Sequence, residues 1–146
     1  MALPKLISEF QEVKLFDELD PGVDTTAKLS KVFDFAQAQG AVLFVLVQEA
    51  QGSGSIVTTT LEASNHLKTK AGDTVNFTKI VDFTVKSANT FQVETKVVDF
   101  GAMSESARYV RARNVVSGAN ATGKISLYAF ALPKYTGFEF PEITLL

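Results

Sequence analysis

The chain has 146 residues, 46% of them hydrophobic and 21% charged, with a formal net charge of -2 and no cysteine. One domain of this length buries roughly 70% of the surface its unfolded chain would expose and needs no covalent staple. The near-balance of charge argues against an electrostatic grip on nucleic acid, and the lack of cysteine excludes disulfides, thiol nucleophiles and thiolate metal sites.

The opening, MALPKLISEFQEVKLFDEL, has early acidic residues and no continuous apolar core, which predicts neither a signal peptide nor a membrane span. Leu6, Phe10, Val13 and Leu15/Phe16 would share one side of a short helix, but Pro4 and the DPGVD turn favour an extended arm or an edge strand over residues 1–28. KVFDFAQ then half-alternates, and Gly40 suggests a short turn into AVLFVLVQ, residues 41–48. That run is short, β-branched and aromatic, and it reads as a strand buried on both faces. Next, SIVTTTLEAS alternates Val57, Thr59, Leu61 and Ala63 against Ile56, Thr58 and Thr60, as if paired in a hairpin about Gly52 to Gly54.

Residues 75–85 read as a strand with a bulge. FQVETKVVDF has the cleanest period of two in the chain, with Phe91, Val93, Thr95 and Val97 assigned to the core and Gln92, Glu94 and Lys96 to water. YVRARNVV and KISLYAFAL follow, joined by GANATG as a turn. Arg108, Arg111 and Arg113 are the dense basic cluster, and on a strand Arg111 and Arg113 share a face that is either solvated or salt-bridged to an acidic patch. The sum is an all-β fold, an antiparallel β-sandwich of jelly-roll type over residues 29–136, with extended arms at 1–28 and 137–146. The second arm, GFEFPEITLL, is too apolar to hang in water, so it folds back over its own sandwich or packs on another subunit.

No chemistry stands out. His66 is the sole histidine and lies in the polar stretch SNHLKTK, with no serine in a nucleophile-elbow setting. Asp20 and Asp24 lack the spacing of a calcium loop, QGSGS lacks the lysine ending of a phosphate loop, and one histidine without cysteine makes no zinc cage. Asp73, Asp82, Glu94, Asp99 and Glu105 are the carboxylates available for a hydrolytic pair, but sequence separation places no two at working distance. Twelve phenylalanines and no tryptophan argue against a sugar platform, for which Tyr109, Tyr128 and Tyr135 are the remaining candidates. The expectation is a protein that is not an enzyme and needs no cofactor or metal. The triplets beginning at Asn76 and Asn120 matter only in a secreted eukaryotic context.

Two blocks, GAVLFVLVQEAQGSGSIVTTTLEAS and VVDFGAMSESARYVRARNVVSGANATGKISLYAFALPKY, resemble small structural proteins of tailed bacteriophages of the capsid decoration (cement) or head-associated type. The likeness spans roughly residues 30–136, rests on patterns of residue class, and departs from the family at SNHLKTKAGD. It implies a homo-oligomer, a trimer or alternatively a dimer, on the outside of an icosahedral shell, with the major capsid protein as partner and neither nucleic acid nor membrane. It also implies synthesis in the host cytoplasm and residence in the virion. On that basis the expected contacts lie on the arms: Leu3, Leu6, Ile7 and Phe10 at one end, Phe138, Phe140, Ile143 and Leu145 at the other. The alternatives are another virion component, such as a head fibre base, a head-completion or a tail-associated protein, and a carbohydrate-binding or adhesion module.

Overall fold

A computed structural model of the protein describes residues 10–22, 26–52, 54–65, 76–83, 91–100, 108–118, 121–135 and 137–143. Among these residues ten strands run in chain order: β1 Gln11–Leu19, β2 Lys28–Leu29, β3 Val32–Asp34, β4 Ala41–Gln48, β5 Ile56–Ser64, β6 Thr78–Asp82, β7 Gln92–Asp99, β8 Tyr109–Ser117, β9 Ile125–Ala131 and β10 Glu142–Ile143. They form two antiparallel sheets, one ordered β1-β9-β4-β7 and the other β10-β3-β8-β5-β6, with β2 also on β8. Among the described residues no helix is long and apolar enough to cross a membrane.

The pairings are nested. β1 lies on β9, β3 on β8, β4 on β7 and β5 on β6, as though the chain were first doubled into one long hairpin. The doubled chain is then rolled so that β9 meets β4 and β8 meets β5. This is the jelly-roll topology, with two Greek keys sharing one core. Each strand turns one row of alternate side chains inward. From one sheet come Val13, Leu15, Val42, Phe44, Leu46, Leu127 and Ala129, and from the other Val57, Leu61, Val110, Ala112 and Val116, all buried.

Two expected hairpins are absent. β4 and β5 lie in opposite sheets, as do β8 and β9. The reason is that both edges of β4 are taken, by β7 and β9, so β5 finds no room beside it. The link after β4 is therefore a corner between layers, and polar groups pin it. Glu49 donates its backbone N–H to the Lys124 carbonyl at 3.0 Å. The Gln51 side chain clamps the backbone of Gly123: its Nε2 donates to the Gly123 carbonyl at 2.9 Å, and its Oε1 accepts from the Gly123 N–H at 3.1 Å. At Gly123 a side chain would collide with the Ala50 carbonyl and this amide.

β4 is also not buried on both faces. Val42, Phe44, Leu46 and Gln48 point inward and are shut off from solvent, whereas Leu43 is exposed and Val45 and Val47 are half-buried. β7 reverses the expected assignment: Val93, Thr95 and Val97 face outward and are exposed, while Gln92, Glu94 and Lys96 are half-buried on the inner side. The residue that decides is Val98. It is 5% exposed and lies opposite the fully buried Val42, and with a period of two its burial sends Val97, Thr95 and Val93 to the outside.

The N-terminal stretch resolves in favour of the edge strand, as β1. The C-terminal segment folds back over its own sandwich: β10 pairs with β3, and Phe140 is buried. The Phe140 N–H donates to Gln11 Oε1 at 3.3 Å, and Gln11 Nε2 donates to the Phe138 carbonyl. Phe140 joins a ring cluster that closes this end of the core, with Phe35 at its centre. Phe35 stacks on Phe100 at 5.6 Å, meets Phe44 edge-on at 6.1 Å and tilts against Phe140 at 5.4 Å. Such ring pairs add about 0.5–1.5 kcal/mol each beyond the area they bury.

Gln51→Ala would strand a buried N–H and C=O at once, so urea titration should show a loss of about 2–4 kcal/mol. Gly123→Ala should be destabilising in the same assay. Unchanged unfolding midpoints for both variants would mean that this corner does not hold the two layers together.

Candidate binding face

The outer faces of the two sheets differ in chemistry. On the second sheet, Glu62 of β5 accepts a hydrogen bond from Arg111 Nε of β8 at 2.9 Å, and Arg113 Nη1 stands 3.9 Å from the same carboxylate. The Arg111 guanidinium lies over the Phe77 ring at 3.9 Å. Thr58 and Thr60 continue this polar surface. Arg108, just before β8, makes a two-bond fork with Asp34 at 2.9 and 3.1 Å, and this carboxylate raises the guanidinium's pKa. Each arginine of the basic cluster thus has a carboxylate partner within the chain: Arg111 and Arg113 share a face as their spacing requires, and Glu62 salt-bridges both.

The first sheet is largely apolar on the outside of β9, β4 and β7. The register puts Leu43, Val45 and Val47 of β4 between Val97, Thr95 and Val93 of β7 on one side and Phe130, Tyr128 and Ser126 of β9 on the other. Phe91, Val93 and Val97 are the most exposed, at 63%, 53% and 68%. Single apolar residues on a surface are ordinary, but a contiguous block across three strands is the mark of an interaction site. Sequence reading found these residues and placed the β7 row in the core, so it missed the face. Two apolar residues in succession, Val97 and Val98, were the available signal that one of them had to turn outward.

Two shallow clefts flank β1. One, of about 470 Å³, is lined by Gln11, Lys31, Phe33, Glu139, Phe140 and Glu142 among others, and the second, of about 380 Å³, by Lys14, Leu15, Asp17, Leu19 and Leu29 among others. Lys31 pairs with Glu142 at 3.3 Å, and Lys14 with Glu12 and Asp17 at 3.9 Å. Ser30 also lines the second cleft, and its hydroxyl is engaged with backbone, donating to the Lys31 carbonyl at 2.8 Å and accepting from the Ala112 N–H at 2.7 Å. Among the described residues no group of three or more His, Asp or Glu is placed to hold a metal ion.

The residues singled out from sequence are dispersed. Asp82 pairs with Lys79 at 2.9 Å, Glu94 with Lys96 at 3.4 Å, and Asp99 lies opposite Ala41 at the end of β7. Asp20 accepts the Gly22 N–H at 3.0 Å in a local turn. Tyr109 is buried with Arg108 over its ring, Tyr128 is half-buried and Tyr135 is exposed. Of the expected contact residues, Phe10 is exposed beside β1, Phe138 and Ile143 are half-buried, and Phe140 is a core residue. Leu3, Leu6, Ile7 and Leu145 lie outside the described residues, as do Asp24, His66, Asp73, Glu105 and Asn120.

No protein-family model matches the chain, and no curated protein sequence matches it. Among solved structures it is similar to the K1 cleaved adhesin domain of Lys-gingipain from Porphyromonas gingivalis W83. The identity is 16% over 82% of this chain and 71% of that one, with a TM-score of 0.37. A likeness at that level says nothing about function.

The ion pairs give a graded test of the charged face. Glu62→Ala leaves two half-buried or neighbouring guanidinium groups without their shared carboxylate and should cost about 1–3 kcal/mol in chemical denaturation. Lys79→Ala, at an exposed pair, should cost under about 1 kcal/mol. Equal effects would show that Glu62 contributes no more than a solvated pair does.

Proposed function

We propose that the protein is a structural binding module, not an enzyme, and that its working surface is the outer face of the β1-β9-β4-β7 sheet. The observation that carries this reading is the block of Leu43, Val45, Val47, Val93, Val97, Tyr128 and Phe130, over which no described strand lies, set against a second sheet on whose outside Glu62 pairs with Arg111 and Arg113. We further propose a virion setting of the capsid-decoration type, with the major capsid protein as partner. The sequence resemblance over residues 30–136 supplies that partner class, and the jelly roll is a topology that viral shell domains share with lectin domains.

The mechanism is mass action. A clamp that binds the assembled lattice and not free subunits stabilises the assembled state by its binding free energy at each site. An apolar face suits that work because the burial it offers is gained only on docking. Repeated copies on a symmetric shell add their contributions, so each contact can be individually weak.

Co-sedimentation of the purified protein with expanded capsids lacking it tests the proposal. Binding should saturate at on the order of hundreds of copies per shell, as a lattice-repeating site requires. Leu43→Lys, at an exposed position of the central strand β4, should abolish binding while leaving the fold intact by circular dichroism. Saturation at a dozen copies would move the protein to a connector role. Undiminished binding of Leu43→Lys, or glycan-array binding in its place, would overturn the reading.

A further inference from the structure

A sandwich of two open sheets has four edges, and three of these are blunted. β1 carries register shifts between Lys14 and Phe16 and between Phe16 and Leu19, and Glu18 sits there at φ 50°, a bulge that bends the strand. Its outward residues Glu12, Lys14 and Asp17 are charged. On the other sheet β6 is five residues long, shifts register against β5 between Leu61 and Glu62, and carries Lys79 and Asp82. β10 has two residues. These are the usual devices that prevent edge-to-edge pairing.

β7 is neither short nor bulged, and its inward charges, Glu94 and Lys96, pair with each other at 3.4 Å. It runs unbroken for eight residues in perfect register with β4, and among the described residues it pairs with β4 alone. Alternate backbone N–H and C=O groups of such an edge strand point away from its neighbour and offer a template for another strand. The sequence of this template, Val93-Glu94-Thr95-Lys96-Val97, is complementary to itself when reversed.

We propose that β7 is a homodimer interface: two copies pair antiparallel along β7 about a two-fold axis at Thr95, joining their four-stranded sheets into one. In this register Thr95 faces its symmetry mate, Val93 faces Val97 of the second copy on the outer face, and Glu94 faces Lys96 of the second copy on the inner face, each pair occurring twice. Glu94 and Lys96 hold each other at 3.4 Å within the strand, and across the axis the same two charges alternate in sign. Charge favours this register over the two next to it. Moving the axis to Glu94 sets Glu94 against itself, and moving it to Lys96 sets Lys96 against itself, and like charges directly opposite are unfavourable. An axis between residues would place opposing side chains on opposite faces of the sheet. The two-fold pairing is closed, so it gives a dimer and not a fibre.

This inference does not depend on a capsid partner, and its test needs none. Analytical ultracentrifugation of the full chain at micromolar concentration should show a dimer. Lys96→Glu and Glu94→Lys each put like charges opposite at two symmetric places and should weaken dimerisation by about tenfold or more. The exchange Glu94→Lys/Lys96→Glu restores the complementarity and should restore the dimer. An equimolar mixture of the two single variants should form a one-to-one heterodimer, an outcome that misfolding of either variant cannot produce. A monomeric wild-type chain would overturn the proposal, and so would single variants that dimerise as well as wild type or a mixture that stays monomeric.

Discussion

The fold depends on the position of β4. Its inner residues Val42, Phe44 and Leu46 are completely buried, and both of its edges are occupied, by β7 and by β9. Once that strand is fixed at the centre of its sheet, the strand that follows it in sequence cannot lie beside it and must cross to the opposite layer. The crossing creates the corner at residues 49–55, and that corner needs the Gln51 clamp on Gly123, because a chain passing between layers loses the ladder partners its backbone would have found in a hairpin. The nesting of β3 on β8 and of β1 on β9 follows from the same doubling of the chain. Its outermost contacts join Gln11 to Ala131 and Gln11 to Phe138, residues at nearly opposite ends of the sequence.

The same position explains the apolar exterior. A central strand with apolar residues at every place from Ala41 to Val47 must show half of them to the outside unless another layer covers that side. On the second sheet the equivalent positions of β5 and β8 are Ile56, Thr58, Thr60, Glu62, Arg111, Arg113 and Val115, a mixed row in which Glu62 ties the two arginines together. Both sheets share one core, so core packing alone does not impose the difference.

Much of this was legible in the sequence. The period of two in Val57, Thr59, Leu61 and Ala63 gave the inner face of β5 correctly, because only one of its two faces is apolar enough to be core. The all-β class followed from the same kind of signal. The failures have physical causes. In β4 both faces are apolar, so periodicity could not say that one would be uncovered. In β7 the apolar row is the outer one, so the usual equation of apolar with buried points the wrong way, and only the buried Val98, out of phase with that row, records the true register. Gly52, Gly54 and Gly118 mark changes of direction in either topology. A glycine-rich link looks the same whether the chain turns back along the same sheet or over into the other one, and what separates the two is the occupancy of edges by strands far away in sequence. The ion pairs were half legible: the strand spacing of Arg111 and Arg113 put them on one face, but nothing local names Glu62 as their shared partner.

The edges carry the last step. Pairings of such long sequence separation close slowly, and a chain with unpaired apolar strands during that interval is prone to join its neighbours wrongly. Selection against such joining leaves marks, and the bulges and charges of β1, the shift and charges of β6 and the brevity of β10 are marks of that kind. The fourth edge is regular, apolar on its outer row, and carries opposite charges, Glu94 and Lys96, symmetric about its centre on its inner row. If β7 is covered by its own symmetry mate, the edge is protected by a pairing that tolerates one register and ends with two copies. The outer faces of the two sheets then run together across the two-fold axis, from Leu43 and Val97 of one copy to Val93 and Val47 of the other. A dimer of this kind would give the apolar surface an extent that neither copy has alone, and would present it to a partner as a rigid sheet in place of a pair of tethered faces.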